Sequence, residues 1–462
     1  MLLGVLLLGG LVALVATGVF TVGGLTLADR LDPVRIYSFG LARMIRSDDD
    51  SRPDIVGVTR NSDETTRLVY VDFDAKVYRR WESEPLGDGA DYIYNPLLAD
   101  GSAVYFSFKT TLAAFSRDDG RLRWESSLSD EISNICQDCL AVMGDRVIAL
   151  TADGVLSSFD VRSGDQAWQV RLETTPRQLL DLAGRVGVPD EGADGFGISI
   201  YEPAGGALAG RIVPECPNEV FDDPQTLGIY DPVLLSADKL HLYIPIADFR
   251  PGCLQKWDAA SWAMLWQAVV PEEAVDSLEP EQVLLAERAL YTSDGHTLHE
   301  ISLADGAHRE VANDEDHNLA PSLVRDGVLV ALAERTRGTR QHVLWGIDNR
   351  TGTRRWEFDP AAQELDEGGS NVVHDDGLWS VAYSEGLIVV LEAFSDPNTL
   401  VLTALKPADG SVSSLQTLEY GDDDSSHWIQ VLGWEGERVY LETGGRLRVI
   451  DWLSGSETAR WP

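Results

Sequence analysis

Hydrophobic positions follow two regimes along this chain. From Leu2 to Ala28 they form one run without a charge or a proline. Beyond residue 54 they fall into short bursts, alternating or continuous, each closed by a glycine or aspartate turn. A helix over the first run is long enough for a hydrocarbon core of roughly 30 Å at ~1.5 Å per residue. It predicts a transmembrane helix over 1–29. The alternative is a cleaved signal segment ending near Thr26-Leu27-Ala28, although signal cores are usually only ~7–15 residues. Residues 30–53 read as a juxtamembrane linker, with Val34 to Ile45 as a short amphipathic segment and Ser47 to Pro53 as a solvated connection. Arg30, Arg35, Arg43 and Arg46 follow the run and no basic residue precedes it. Taken literally, that charge bias keeps the following domain in the cytoplasm.

The second regime is one repeat written many times. A strand, a glycine turn and a strand carrying tryptophan recur: Leu112 to Gly120 leads to Trp124, Leu156 to Gly164 to Trp168, and Leu344 to Gly352 to Trp356. Leu447 to Gly455 leads to Trp461, two residues late. Weaker copies turn at Gly206, Gly306 and Gly410; one copy has Trp262 in place of the glycine and keeps Trp266, and a first copy leads to Trp81 without the glycine. Turn positions at 120, 164, 206, 262, 306, 352, 410 and 455 give steps of 42 to 46, with two longer steps of 56 and 58. Periods of roughly 40–50 residues built from short strands are the signature of a β-propeller. Within the unit 139–172 four strands are legible, separated by Gly144, Gly154 and Gly164. Glycine suits such hairpins because they demand positive φ.

The expected fold is therefore all-β: an eight-bladed β-propeller of four-stranded antiparallel blades over 54–462. The partial unit at 54–83 supplies closing strands to the last blade. Seven blades is the alternative, if the unit around Gly206 is not a blade.

Charge narrows the function. Asp+Glu number 75 against 37 Lys+Arg, a net charge of -38. Nucleic-acid binding needs a basic stripe to displace counterions, so no nucleic acid is expected. Four cysteines leave three readings open: disulfides Cys136–Cys139 and Cys216–Cys253 in an oxidising compartment, buried thiols, or a four-cysteine zinc site. Asp190 to Gly195 resembles half a calcium loop but lacks a third ligand and the distal glutamate, and reads as a solvated loop. His296 and His299 lie three apart on one strand, so they face opposite sides and do not form a joint metal site. Arg123 and Arg355 read as surface residues beside their tryptophans. No catalytic residue or metal ligand is assigned.

The motif Asp160…Ser163-Gly164…Trp168 and its copy Asp348…Thr351-Gly352…Trp356 resemble the tryptophan-docking repeat of pyrroloquinoline-quinone-like (quinoprotein-type) β-propellers, over about residues 54 to 462. The resemblance implies that Trp81, Trp124, Trp168, Trp266 and Trp356 pack between blades. It also implies that Gly120, Gly164, Gly352 and Gly455 make outer hairpin turns. Enzymes of the family bind the quinone beside an adjacent cysteine pair and a calcium ion; neither an adjacent Cys-Cys nor a calcium-ligand set is recognisable, so no cofactor is expected. The expected function is a membrane-anchored, extracytoplasmic, non-catalytic protein-binding or scaffold module with protein partners in a bacterial envelope. The alternatives are a quinone-dependent dehydrogenase and an envelope or outer-membrane protein assembly factor.

Overall fold

The computed structural model describes residues 21–22, 25–26, 36–45, 54–61, 66–71, 79–86, 97–132, 136, 139–174, 176, 178–192, 195–215, 228–229, 233–236, 239–247, 252–270, 283–336, 342–359, 379–395, 398–419, 429–443 and 446–461. Nearly every element is a strand. Among the described residues nine four-stranded antiparallel blades follow one another: blade 1 (36–82), blade 2 (97–127), blade 3 (140–171), blade 4 (180–212), blade 5 (228–270), blade 6 (284–313), blade 7 (317–358), blade 8 (379–419) and blade 9 (429–461). In blade 5 the first strand is split into two short pieces. In blade 3 the strands Leu140–Met143, Arg146–Leu150, Val155–Asp160 and Gln166–Arg171 pair in sequence order.

The count is nine rather than eight or seven. Ile36–Ile45, within the segment read as a linker, pairs with Asp54–Asn61 and completes blade 1. Blade 9 has four strands of its own and borrows none. Blade 4, with Leu180–Leu182 innermost, is a full blade. The expected helix over 1–29 lies outside the described residues as far as residue 20. Of residues 21–29 only 21–22 and 25–26 are described, and they pair as two short antiparallel strands, Thr21–Val22 against Leu25–Thr26. No helix among the described residues is long and apolar enough to cross a membrane.

The chain divides into two compact units. One comprises residues 1–127 with 418–462; the other, 128–417. In the first, strand alternation sorts the core with period two. Val56, Val58, Leu68 and Tyr70 face blade 2, packing on Val104, Phe106 and Phe115. Their neighbours Ile55, Val69 and Val71 face blade 9, packing on Tyr440, Leu447 and Val449. The last blade thus lies against the first. In the second unit blade 7 does the same: Leu329, Ala331, Trp345 and Ile347 face blade 6, while Val328, Val330 and Leu344 face blade 8.

A bulge recurs between the third and fourth strands. The register skips one residue just before the docking position, at residue 80 in blade 1, 167 in blade 3, 209 in blade 4, 265 in blade 5 and 355 in blade 7. Such a bulge bends the strand and re-aims the next side chain.

Candidate functional site

What the bulge aims is an indole. Trp81, Trp168, Trp266 and Trp356 each reach the glycine turn of the next blade, not their own. A Cβ placed on Gly120 would stand 2.5 Å from the Trp81 ring, one on Gly206 2.5 Å from Trp168, one on Gly306 2.9 Å from Trp266, and one on Gly410 2.7 Å from Trp356. All four glycines have left-handed φ, between 66° and 74°. The indole N–H then donates to the carbonyl three residues before that glycine: Trp81 to Arg117 (2.6 Å), Trp168 to Pro203 (2.7 Å), Trp266 to Leu303 (3.1 Å) and Trp356 to Pro407 (2.9 Å). Ring face and polar tip are both satisfied, as a buried tryptophan requires. Trp124 is buried with its ring 6.0 Å from Tyr105. Gly164 and Gly455 also turn with positive φ. The side chain of Trp461 lies outside the described residues.

Within the unit 128–417 two junctions depart from the rule. Blade 6 has no tryptophan, its bulge falls two residues later, and the backbone carbonyl of Val311 takes the space above Gly352. Between blades 4 and 5 the partners are exchanged. Gly210 stands at the docking position and Trp262 at the turn, and a Cβ on Gly210 would lie 2.5 Å from the Trp262 ring. Trp262 holds φ +58, a conformation normally left to glycine. Its ring carries the Arg185 guanidinium at 5.3 Å, and its buried Nε1 has no hydrogen-bond partner.

Blades 1 and 2 share a polar latch that sequence reasoning missed. Arg117 reaches Asp54 (Nη2 to Oδ2, 3.2 Å), Tyr70 (Nε to the hydroxyl, 2.7 Å) and the carbonyl of Asp100 (3.2 Å). The Tyr70 hydroxyl donates to Asp54, and its ring stacks on Trp81 at 5.5 Å. Burial, reinforced by the Asp54 carboxylate, pushes the Tyr70 hydroxyl far above its usual range, so it remains a donor. The arginine lies 63 residues from Asp54, a separation that leaves no local signal.

The remaining candidates resolve separately. Cys136 and Cys139 form a disulfide with Cα atoms 5.4 Å apart. Cys253 is also disulfide-bonded; Cys216 lies outside the described residues. Asp190 sits on a strand, its carboxylate bound by Arg211, which also donates to Ser199 Oγ (2.7 Å). Asp194 lies outside the described residues. Arg355 is paired with Asp348 and, with Arg309 and Arg350, lines an open cavity of about 450 Å³. Arg123 reaches Ser102 Oγ (3.4 Å).

His299 does not pair with His296. Its Nδ1 lies 3.0 Å from Nε2 of His308 on the adjacent strand. Burial, then the His299 ring, lowers the His308 pKa and favours the neutral imidazole. Among the described residues no group of three or more metal-ligating side chains is assembled.

One surface stands out. Among the nine last strands of the blades, Met264–Val270 alone carries no charged residue. It is a sheet edge, and Met264, Leu265 and Val269 are 48%, 49% and 52% exposed. The bulge at residue 265 breaks the alternation and leaves two consecutive apolar side chains outward.

Residues 71–205 match the family model described as "Outer membrane protein assembly factor BamB". No curated protein matches the chain. Among solved structures, the chain is similar to BamB from Moraxella catarrhalis, at 13% identity over 89% of this chain and 94% of that one, TM-score 0.43. It is similar to quinohemoprotein alcohol dehydrogenase ADHIIG from Pseudomonas putida HK5, at 14% over 79% and 66%, TM-score 0.44. It is also similar to the quinohemoprotein alcohol dehydrogenase from Comamonas testosteroni, at 12% over 79% and 66%, TM-score 0.43. Over residues 71–205 the repeat matches that of the pyrroloquinoline-quinone-like β-propellers.

Proposed function

We propose that the chain is a membrane-tethered, extracytoplasmic propeller that binds protein partners of the cell envelope as a scaffold, without catalysing a reaction. The observation that carries this reading is the uncharged, half-exposed edge strand Met264–Val270. Sheet edges are normally guarded by charge, because an open row of N–H and C=O groups invites another strand. In a chain of net charge -38, an edge left without charge is suited to accept an extended segment of a partner. Main-chain hydrogen bonds would give affinity and the apolar side chains specificity. The family model matched by residues 71–205 bears the name of a protein assembly factor, which agrees with a partner of this kind.

The test is photo-crosslinking in intact cells, with the full chain carrying a photoreactive residue at position 265 or, as control, at Glu125 on the charged edge of blade 2. A defined protein adduct at 265 and not at 125, lost in a Val269→Glu background, is expected. Equal adducts at both positions, or none at 265, would refute the edge. Protease access in spheroplasts tests the side of the membrane: protection of residues 54–462 would place the propeller in the cytoplasm. The competing dehydrogenase reading requires micromolar binding of pyrroloquinoline quinone with calcium, followed by dye reduction with alcohols or sugars. That result would displace the scaffold.

A further inference from the structure

We infer that His299 and His308 of blade 6 form a binding site for one divalent transition-metal ion of the imidazole-preferring kind, copper above zinc and nickel. The two imidazoles converge by their nitrogens, Nδ1 of His299 and Nε2 of His308, at 3.0 Å. Two ligand nitrogens about 2.0–2.1 Å from one metal stand about 2.9 Å apart when they subtend a right angle and about 3.3 Å at the tetrahedral angle. The spacing therefore matches two adjacent corners of a coordination polyhedron. Without a metal, one proton fills the same place as an N–H···N hydrogen bond. Metal binding turns His308 to its other tautomer, with the N–H at Nδ1 and the Nε2 lone pair toward the ion, so both rings are neutral ligands and no net proton is released.

The surroundings fix which nitrogen is free. The far nitrogen of His299, Nε2, faces Asp294 Oδ2 at 3.5 Å. The other oxygen of Asp294 is held by the backbone N–H groups of His296 (2.8 Å) and Thr297 (2.6 Å), so the carboxylate cannot swing away. A proton on Nε2 directed at that carboxylate leaves the Nδ1 lone pair pointing at His308. This is the carboxylate–histidine–metal relay that orients ligands and raises their basicity. Glu310 lies two residues beyond His308 on the same strand, hence on the same face, and directly opposite His299 in register. Its negative charge acts on His308 and would offset part of the cation's charge. The adjacent Arg309 is turned to Glu300 (2.6 Å). His299 is buried, whereas His308 is half-buried, so the ion enters from the His308 side with water completing its coordination. Imidazole suits these ions, and affinity rises toward copper in the divalent series.

The experiment is calorimetric titration of the purified full chain with Cu²⁺ and separately Zn²⁺ near pH 7.5, with electron paramagnetic resonance of the copper form. One site per chain is expected, with nitrogen couplings from two imidazoles. His308→Gln alters a half-buried side chain and should abolish that site while leaving the melting temperature of metal-free protein nearly unchanged. Asp294→Asn, which keeps the backbone caps, should weaken binding roughly 10–100-fold. His241→Gln, in blade 5, should change nothing. Copper binding that survives His308→Gln, or that falls equally with His241→Gln, would overturn the assignment, as would the absence of a stoichiometric site in the wild-type chain.

Discussion

Exchanging Gly210 and Trp262 tests whether the tryptophan–glycine contact is an interchangeable lock. Trp262→Gly removes a half-buried indole. A fully buried Trp→Ala change costs ~3–5 kcal/mol, so partial exposure brings this to about 2. The substitution also releases a left-handed backbone, worth roughly 1 kcal/mol, leaving a net loss of about 1 kcal/mol. Gly210→Trp alone drives a second indole into a space where even a Cβ would stand 2.5 Å from the Trp262 ring; overpacking of this kind costs ~1–3 kcal/mol. Independent effects would sum to about 3 kcal/mol. The double exchange should instead equal or exceed wild type, because it recreates the arrangement of Trp168 on Gly206. The new indole N–H would also find the carbonyl of Ala259, three residues before the turn. Guanidinium unfolding of the full chain followed by circular dichroism reads the four corners of this cycle. Additive losses in the double variant would show that the junction between blades 4 and 5 is not an inverted copy of the others.

Gly144→Ala and Gly120→Ala separate backbone conformation from docking. Both glycines have φ above 60°, but nothing lies within 4 Å of a Cβ on Gly144; the first should cost roughly 1 kcal/mol and the second about 1–3 kcal/mol more through the Trp81 ring, and equal denaturation midpoints would refute the dock. Arg117→Met should destabilise by ~3–5 kcal/mol by taking a buried cation away from the Asp54 carboxylate, whereas Tyr70→Phe should lose about 1–3 kcal/mol; a neutral Arg117→Met would show the latch to be dispensable. Acid should weaken the fold. Backbone N–H groups hold the turn carboxylate of Asp160, and the hydroxyl and N–H of Ser261 hold that of Asp258, below the usual carboxylate range. For Asp348 the main cause is the Arg355 guanidinium, for Asp409 the Ser411 hydroxyl. Their folded values lie below unfolded values near 4, so this stability is complete above pH ~4 and disappears as pH falls through the folded values. Unfolding midpoints at pH 7 and pH 3, in salt sufficient to screen the net charge, should fall toward acid; a midpoint unchanged at pH 3 would refute the coupling.

The repeat was legible because its two strongest signals, a glycine at positive φ and a tryptophan four residues later, are local. What those signals did not carry was direction. The sequence associates Gly164 with Trp168, yet Trp168 touches Gly206, one period on. The ninth blade was hidden because Ile36–Ile45 includes Arg43, lies between arginines and aspartates, and follows an apolar run that draws it toward a membrane reading. The His299–His308 pair escaped for a geometric reason: comparison along one strand finds His296, whereas the relevant partner lies across a hairpin whose bulge shifts the register at His299.

Division of labour within the repeat bears on function. The indole, the turn glycine and the carbonyl three residues before it are all spent on joining blades, so docking tryptophans are poor candidates for recognition however many the chain contains. Variation is left to the last strands. Eight of the nine carry at least one charged residue. The ninth, Met264–Val270, follows immediately on the one turn where tryptophan replaces glycine. A tryptophan anchored in a left-handed turn fixes the start of that strand more firmly than glycine would, since glycine leaves the chain its greatest conformational freedom. An edge that is both apolar and held in place loses little entropy when a second strand adds to it. The exchange at Gly210 and Trp262 and the uncharged edge beside it thus fall in one blade, modified at its turn and at its surface together, which is the arrangement the proposed binding edge would need.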